Sequence, residues 1–317
     1  MNRKAPASLP ARSGDGRGRA VTPSQSAKAA GQGDAAPYFT DISEASLRAL
    51  ADAIYQRYSY DFRNYSGASQ TRRVRLALNH LSCPGIAALQ AVVLKDPTSF
   101  MELLQFLTIP VSELFRDPAF FLALRRQTVP VLQTYPSLKV WVAGCSTGEE
   151  VVSLAIMLRE EGLLERTLIY ATDINPTLLT QARRGIFKFD AVQSRHDAYL
   201  AAGGRRQLAD YYTAAYDSAI FDKSLFENVT FADHSLATDS VFSETQLVLC
   251  RNVLIYFNKT LQDRALGLFH ESLSHRGFLG LGSKESIDFS HYVNHFETID
   301  KANRIFRRDQ REPLAPI

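Results

Sequence analysis

Residues 138–158, LKVWVAGCSTGEEVVSLAIML, constrain the fold of this chain more than any other stretch. A run of β-forming residues ends at Gly144, a loop of small residues reaches Gly148, and an apolar pattern with helical spacing follows. A glycine loop between a strand and its helix brings backbone N–H groups close to a ligand at the positive end of the helix. The stretch therefore predicts the first strand, loop and helix of a ligand-binding α/β domain.

Strands and helices continue to alternate after this loop. Helices are predicted at 149–161, 176–184 and 259–274, and short apolar strands at LKVWVAGC, TLIYATDI, ENVTFADH, TQLVLCRN and GFLGLGSK. This alternation is typical of a doubly wound parallel sheet with helices on both faces. Residues 186–226 interrupt it with a polar, aromatic-rich segment, which we interpret as an inserted small subdomain.

The front of the chain has a different organisation. Residues 41–131 repeat apolar residues at helical spacing, which predicts an all-helical domain before an α/β domain at 132–310. Residues 1–40 are rich in Ala, Gly, Ser, Pro and Arg, and residues 1–37 hold six basic and two acidic groups. Such a composition buries too little apolar surface to offset ordering, so a disordered basic tail is predicted. We favour a solvated leader over an arm that binds nucleic acid or an acidic partner.

The composition excludes several protein classes. The 317 residues are 45% hydrophobic and 22% charged, as in soluble globular proteins. No apolar run is long enough to span a bilayer, and the N-terminus lacks the apolar core of a signal peptide. Cys83, Cys145 and Cys250 are scattered without metal or redox spacing, which suits a reducing compartment. We therefore expect a cytoplasmic protein without membrane insertion.

Acidic residues around the glycine loop narrow the range of ligands that could bind there. No lysine follows Gly148, and Glu149 and Glu150 stand there instead, where they would repel a triphosphate. Asp173 ends the next predicted strand, a position from which an acid accepts ribose hydroxyls. An adenosine group with positive charge and without phosphates describes S-adenosylmethionine, so we predict this cofactor.

Three further stretches carry a resemblance to a known family. VWVAGCSTGEEVVSLAIML, IYATDINPTLLTQARRGIF and LVLCRNVLIYFNKTLQDRALGLFHESLSHRGFLGLGSKES resemble the chemotaxis-receptor methyltransferase (CheR) family, and LTIPVSELFRDPAFF resembles its interdomain segment. The resemblance covers about residues 45–307. It implies a small helical domain, a methyltransferase domain with an inserted β-subdomain, and methylation of receptor glutamates with release of S-adenosylhomocysteine.

The resemblance also assigns site residues, position by position. It implies cofactor contacts at Ser112, Arg116, Gly144, Glu150, Asp173, Ser235, Leu236, Arg251 and Asn252. The chain departs from the family pattern at four positions: Pro110 replaces Asn, Ser112 replaces Thr, Ser235 replaces Asn, and the Gly-His-Ser-Glu-Ser motif loses its His at 282–286. A proline offers neither a side-chain hydrogen bond nor an N–H at that position.

Carboxylate methylation needs few catalytic groups. A glutamate is already ionised at neutral pH, so the attacking oxygen requires no general base. Positioning and exclusion of water remain as the main contributions of the protein. We expect Arg116 to hold the carboxylate of the substrate or of the cofactor, and Tyr256 to donate to the reacting region.

Other constellations support alternatives less well. His270 and His275 are five apart and lack the spacing of a zinc-binding helix, and His291 and His295 lack a third ligand, so no metal is expected. The arginines at 72, 73 and 75 favour either a solvated surface or a dock for an acidic receptor helix. Nucleic-acid methylation is disfavoured because residues 252–256 lack the two prolines of an amino-methylating loop. A non-catalytic, cofactor-binding regulatory module remains the third alternative.

Overall fold

The computed structural model describes residues 42–108 and 110–309 of the chain. The first helices begin at side-chain caps: the Ser43 hydroxyl accepts the Ser46 N–H, and the Asp96 carboxylate accepts the N–H groups of Thr98 and Ser99. The helices of this part are α1 Glu44–Tyr58, α2 Gly67–His80, α3 Ile86–Lys95 and α4 Pro97–Leu107. The tail predicted over residues 1–40 lies outside the described residues.

These four helices enclose a core of their own. Ile54, Leu78, Leu89 and Leu103 point inward and are at most 1% exposed. Burying such a side chain contributes about 1.5–3 kcal/mol, and packing of this kind stabilises helices too short to persist alone. No helix in the described residues is both long and apolar enough to cross a bilayer.

The segment before the first strand packs with the sheet rather than with the four helices. α5 (Pro118–Ala123) continues through a π-helical turn at Leu124–Thr128 into α6 (Val129–Leu132). Phe120 and Phe121 are buried against the α/β core. The helical domain predicted over residues 41–131 includes this segment, and its boundary at 131 stays a prediction.

The α/β part is built on a large sheet. The strands of the described chain are β1 Leu138–Ala143, β2 Thr167–Asp173, β3 Ile186–Lys188, β4 Tyr212–Ala215, β5 Ser218–Phe221, β6 Val229–Asp233, β7 Thr245–Cys250, β8 Leu273–Leu281, β9 Phe296–Asp300 and β10 Ile305–Arg308. Seven of them pair in the order β6-β2-β1-β7-β8-β10-β9. The first five are parallel, whereas β10 is antiparallel to both neighbours. The predicted doubly wound sheet is confirmed.

Helices cover both faces of this sheet because alternate side chains of a strand point to opposite sides. On β1, Val140 and Val142 face one core, and Trp141 faces the other. The helices of this domain are α7 Glu149–Glu160 and α8 Pro176–Arg184 on the valine side and α11 Lys259–Ser272 on the tryptophan side. Short 3-10 turns occur at Leu164–Arg166, Leu208–Tyr211, Lys223–Phe226, Leu254–Tyr256 and Val293–His295.

Two strands extend the sheet beyond those that the sequence predicts. The segments FETID and IFRR, which form β9 and β10, bury only Phe296, Ile305 and Phe306. Their apolar pattern is too short to indicate a strand. Backbone pairing of β10 with β8 and of β9 with β10 holds them, and such pairing leaves no signal in a single segment.

The insert contains a three-stranded antiparallel sheet in the order β3-β5-β4, with the short helices α9 (Phe189–Gln193) and α10 (His196–Ala201). A buried polar network anchors it. The Glu160 carboxylate at the end of α7 accepts the hydroxyls of Tyr199 and Tyr211 at 2.5 and 2.9 Å. Arg125 of the π-helical turn pairs with the same carboxylate, so three segments meet at one charge. The limits 186–226 of this subdomain stay a prediction.

Candidate active site

A pocket opens at the carboxyl ends of the strands, where the chain order reverses between β1 and β7. Ligands of open parallel sheets bind at such a switch point. The pocket has an empty volume of about 900 Å³ including its open mouth, a size suited to a small molecule. Of the residues that the sequence analysis assigned, it contains Ser112, Arg116, Gly144, Glu150, Asp173, Leu236, Arg251, Asn252 and Tyr256.

The glycine loop after β1 approaches the pocket through its backbone. Gly144 has a φ of 74°, and a Cβ there would lie 2.5 Å from the Val253 side chain. Gly148 has a φ of 99°, and a Cβ there would lie 2.9 Å from that of Ala182 in α8. Both positions therefore require glycine. The Gly144 N–H donates to the Thr172 carbonyl at 2.8 Å, which ties the loop to β2.

Asp173 ends β2 and is 8% exposed. Its two carboxylate oxygens accept the N–H groups of Ser146 and Asn175, both at 2.9 Å. Burial raises the pKa of Asp173, while these N–H groups act in the opposite direction. Each carboxylate oxygen can accept more than one hydrogen bond. The carboxylate is therefore fixed in position and still able to accept hydroxyl groups of a ligand.

Arg251 joins two acids beside the pocket. Its Nη1 donates to Glu150 and its Nη2 to Asp117, each at 2.8 Å, and its side chain is 1% exposed. The guanidinium also lies 4.2 Å from the centroid of the Phe120 ring. Burial raises the pKa of Glu150, and Arg251 opposes this rise. The structure pairs Glu150 with Arg251, and their direct contacts to a cofactor stay a prediction.

A buried glutamate positions the loop after β7. Glu285 is 3% exposed, and its carboxylate accepts the N–H groups of Gly282, Asn252 and Ile255 at 2.6, 2.9 and 3.3 Å. Asn252 has a φ of 61°, a conformation that asparagine adopts more readily than most residues. The three hydrogen bonds hold the loop that leads to Tyr256. Glu285 lies within the stretch that resembles a family motif at 282–286, but the sequence predicts no role for it.

The linker before α5 carries Ser112 and Arg116 into the pocket. Phe115, which directly precedes Arg116, is buried with a φ of 49°, and its N–H donates to the Ser153 hydroxyl at 2.8 Å. This bond anchors the turn from which Arg116 extends. Arg116 donates to the Val111 carbonyl at 3.4 Å and forms no ion pair within the described residues.

The helical bundle contributes the remaining wall. The Ser66 N–H donates to the Tyr256 carbonyl at 2.8 Å, which joins the start of α2 to the loop after β7. Farther along α2, the Arg73 guanidinium lies 4.3 Å from the centroid of the Tyr256 ring and donates through Nη1 to the Leu107 carbonyl. Arg73 is 3% exposed, yet its Nε and Nη2 have no partner in the described structure. A buried cation with free donors at a pocket indicates a site for an anion.

The structure separates the basic cluster that the sequence analysis grouped on α2. Arg72 and Arg75 are exposed, whereas Arg73 lines the pocket. Neighbouring helical residues point about 100° apart, so spacing alone could not show which arginine turns inward. The position of the packed face, set by Val74 and Ala77, decides it.

The loop after β6 differs from the assignment made by resemblance. Leu236 lines the pocket, but within the described structure Ser235 lines a neighbouring cavity with Asp233. The Ser235 hydroxyl accepts the Ala237 N–H at 3.3 Å. His234, which the sequence analysis did not single out, lines the main pocket instead. The role of Ser235 therefore stays a prediction that the geometry does not support.

Comparison with family models covers most of the chain. The SAM-binding domain of CheR methyltransferases matches residues 110–305, and the all-alpha domain of the same proteins matches residues 45–108. The chain belongs to the CheR methyltransferase family. The resemblance found in the sequence is thereby confirmed, and the CheR-type chain is a methyltransferase that uses S-adenosylmethionine.

Individual relatives agree with this family. A Pseudomonas putida methyltransferase named Cher3 is 66% identical over 269 residues, which cover 85% of this chain and 97% of that protein. A chemotaxis protein methyltransferase of Listeria monocytogenes is 33% identical over 200 residues, covering 61% and 71%. The solved structure of PKMT2 from Rickettsia typhi with AdoHcy covers 46% of this chain and 20% of its own at 14% identity; its TM-score of 0.29 adds nothing to the assignment.

The pocket of the CheR-type chain fits S-adenosylmethionine on its own geometry. Asp173 would accept the ribose hydroxyls, and Gly144 lines the pocket without a side chain that would occupy it. Arg116, without an ion pair among the described residues, would hold the cofactor's carboxylate. No group of three or more His, Cys, Asp or Glu side chains within residues 42–108 and 110–309 is placed to hold a metal ion.

Proposed function

We propose that this chain transfers the methyl group of S-adenosylmethionine to glutamate side chains of a chemoreceptor-type signalling protein, forming methyl esters and S-adenosylhomocysteine. The observation that carries the proposal is the buried Arg73 guanidinium, which has two free donors beside Tyr256. A carboxylate substrate would supply the missing anion. The name of the Listeria relative, chemotaxis protein methyltransferase, supports a substrate of the same class.

A count of charges supports a carboxylate acceptor. Cofactor and substrate together would bring two carboxylates into the pocket, one from the methionine part and one from the glutamate. Two arginines at the pocket, Arg116 and Arg73, form no ion pair within the described residues. Arg116 lies near Glu150 on the linker side, so we assign it to the cofactor and Arg73 to the substrate.

The reaction then depends on placement. Bound S-adenosylmethionine supplies a methyl group on a positively charged sulfur. Arg73 would orient the glutamate carboxylate, whose ordinary pKa of about 4.3 leaves it ionised and ready to attack. Tyr256, fixed between Arg73 and the Glu285-held loop, would donate a hydrogen bond to the reacting region, as the sequence analysis expects. Because opposite charges cancel in the transition state, excluding water and aligning the oxygen are the main contributions.

A cytoplasmic location belongs to the same proposal. Cys83, Cys145 and Cys250 are buried and unpaired, in agreement with a reducing compartment. The signalling parts of receptors that present glutamates to this chain would have to face the same compartment.

Transfer of tritiated methyl groups to receptor-containing membranes tests the function. Label that is released by mild base as methanol identifies carboxyl esters. Arg73→Met is expected to abolish most transfer, whereas Arg72→Met, one residue away and exposed, serves as the matched control and is expected to retain it. Tight cofactor binding without transfer to any receptor preparation would contradict the proposal and favour a regulatory module. Base-stable label in nucleic acid would contradict it in favour of the other enzyme class.

A further inference from the structure

We propose that Phe289, Ile255 and Lys259 form a docking surface beside the pocket for a helix of the protein that is methylated. We call these three residues the Phe289 surface. They lie on the loops after β7 and β8 and at the start of α11, and the loop after β7 also lines the pocket. The inference rests on the proposed function, because the docked helix carries the glutamate that is methylated.

The topology brings this surface to the edge of the sheet where the pocket opens. β7 and β8 are neighbouring parallel strands, and Cys250 at the end of β7 pairs with Leu281 at the end of β8. The loops that follow them therefore start side by side at the carboxyl edge. The Glu285 carboxylate accepts N–H groups from both loops, including that of Ile255, and so joins them. Ile255 directly precedes Tyr256, which lines the pocket.

Phe289 points outward from a loop that is firmly anchored on both sides of it. Ile287 and Ser290 are buried, and the Ser290 hydroxyl donates to the Asp263 carboxylate of α11 at 2.7 Å. The same carboxylate accepts the N–H of His291 at 2.8 Å. Phe289 itself is 80% exposed. The anchors thus fix the position of the ring without covering it.

Two neighbouring side chains extend the exposed ring. The Nζ of Lys259 lies 5.1 Å from the centroid of the Phe289 ring, so the stem of the lysine approaches the same ring. Ile255, four residues before Lys259, is 37% exposed on the turn Leu254–Tyr256. Apolar side chains that gather at the rim of a site mark an interaction surface.

The charge at this surface favours an acidic partner. Lys259 forms no ion pair within the described residues, and the Phe289 ring holds its ammonium in place. On the loop after β8, Lys284 is exposed, whereas the Asp288 carboxylate is occupied by the Ser286 hydroxyl at 2.6 Å. A positive patch steers a partner with acidic side chains and fixes its register.

The rim is suited to a helix rather than to an extended segment. An extended peptide binds by pairing its backbone with a free strand edge. β7 and β8 have neighbours on both sides in the sheet, so neither offers such an edge beside the pocket. A helix satisfies its own backbone and presents residues three, four and seven positions from the glutamate on one face. Apolar residues of that face contact Phe289 and Ile255, and an acid pairs with Lys259.

Methyl-transfer kinetics with receptor-containing membranes test the apolar contact. Phe289→Ser is expected to raise the KM for the membranes about tenfold, as for a central aromatic of an interface. Its kcat and its affinity for S-adenosylhomocysteine should stay at wild-type values, because the ring does not line the pocket. Phe289→Leu keeps an apolar side chain and should hold the KM within about threefold of wild type.

Val92→Ser is the matched control, because Val92 of α3 is 38% exposed and does not line the pocket. Its KM should equal that of the wild type. A wild-type KM in Phe289→Ser would overturn the inference while the methyl transfer itself still supports the proposed function.

Charge reversal tests the acidic part of the partner. Lys259→Glu is expected to raise the KM at least about fivefold at low ionic strength, and by less at high salt. Lys139→Glu makes the same change near the amino end of β1, at the opposite edge of the sheet, and should have little effect. Equal effects of the two variants would show general repulsion from the membranes and would contradict docking at Lys259.

Photo-cross-linking locates the contact on the partner. Benzoylphenylalanine substituted at Phe289 is expected to cross-link to the receptor within about seven residues, or two helical turns, of a labelled glutamate. Cross-links only at distant positions, in a protein that still transfers methyl groups, would contradict the surface. Wild-type protein that transfers no methyl group to these membranes would overturn the proposed function and the docking surface together.

Discussion

The two walls of the pocket differ in how their charges are matched. On the sheet side, Asp173 and Glu285 accept backbone N–H groups and Glu150 pairs with Arg251. On the side of the helical bundle and linker, Arg73 and Arg116 form no ion pair within the described residues. An uncompensated buried charge is costly. The sheet wall is therefore complete without a ligand, and we propose that anions complete the opposite wall.

Removing Arg73, the buried cation on the helical side of the pocket, should have the largest effect. Arg73→Met is expected to lower kcat/KM for methyl transfer by about 100-fold, equivalent to about 2.7 kcal/mol of transition-state stabilisation. Affinity for S-adenosylhomocysteine should change by less than about twofold, because the product lacks the substrate carboxylate. Methyl-transfer kinetics and calorimetry measure the two quantities, with Arg72→Met as the control. An equal loss of kcat/KM and of affinity for S-adenosylhomocysteine would show that Arg73 binds the cofactor. It would contradict the assignment of Arg116 to the cofactor and Arg73 to the substrate.

Removing Asp173, the acid on the sheet side of the pocket, should weaken binding of the cofactor product instead. Asp173→Ala is expected to weaken S-adenosylhomocysteine binding by about 1–3 kcal/mol, since ribose hydroxyls would lose their acceptor. Isothermal titration calorimetry measures this directly. An unchanged dissociation constant would remove Asp173 from the site.

The raised pKa of Asp173 makes the same contact sensitive to acid. Burial favours the protonated form, so the carboxylate loses its charge at a higher pH than an exposed aspartate would. Hydroxyl donors favour the ionised form, and binding should therefore weaken as pH falls through the pKa of the free protein. Asp173→Asn should remove this component of the pH profile. A profile identical in wild type and variant would assign the dependence to another group.

Arg116→Lys should have a smaller effect than loss of Arg73. A lysine keeps the charge but cannot bond a carboxylate through two parallel donors. Turnover is expected to fall at least about tenfold, or about 1.4 kcal/mol, with the fold intact. Circular dichroism checks the fold, and steady-state kinetics checks the rate. Wild-type turnover in the lysine variant would show that Arg116 needs no bidentate partner.

The contrast between the walls also explains what the sequence could reveal. Gly144, Gly148 and Asp173 follow from a local rule, a strand followed by a loop or an acid at its carboxyl end. The parallel strands follow from short apolar runs, and the structure confirms them. Such features depend on a few consecutive residues and are visible without a partner.

Features that depend on distant partners were not visible. Arg73 enters the site because α2 packs with one face inward, and Glu285 matters because three N–H groups from two loops converge on it. β10 exists through pairing with β8, and β9 through pairing with β10. For Arg73 and Glu285 the residue type was present in the sequence, but the contacts that give it meaning are long-range.

The smallest expected effect concerns Ser235, where resemblance and geometry disagree. Resemblance assigns it to the cofactor, yet its hydroxyl faces a separate cavity and accepts the Ala237 N–H. If the geometry governs, Ser235→Ala removes only this local bond, and affinity for S-adenosylhomocysteine should change by less than about twofold, within about 0.4 kcal/mol. Calorimetry compares this change with that of Asp173→Ala, a variant that alters a group fixed inside the pocket. A loss comparable to that of Asp173→Ala would restore Ser235 to the cofactor site, and would mean that the loop after β6 rearranges when the ligand binds.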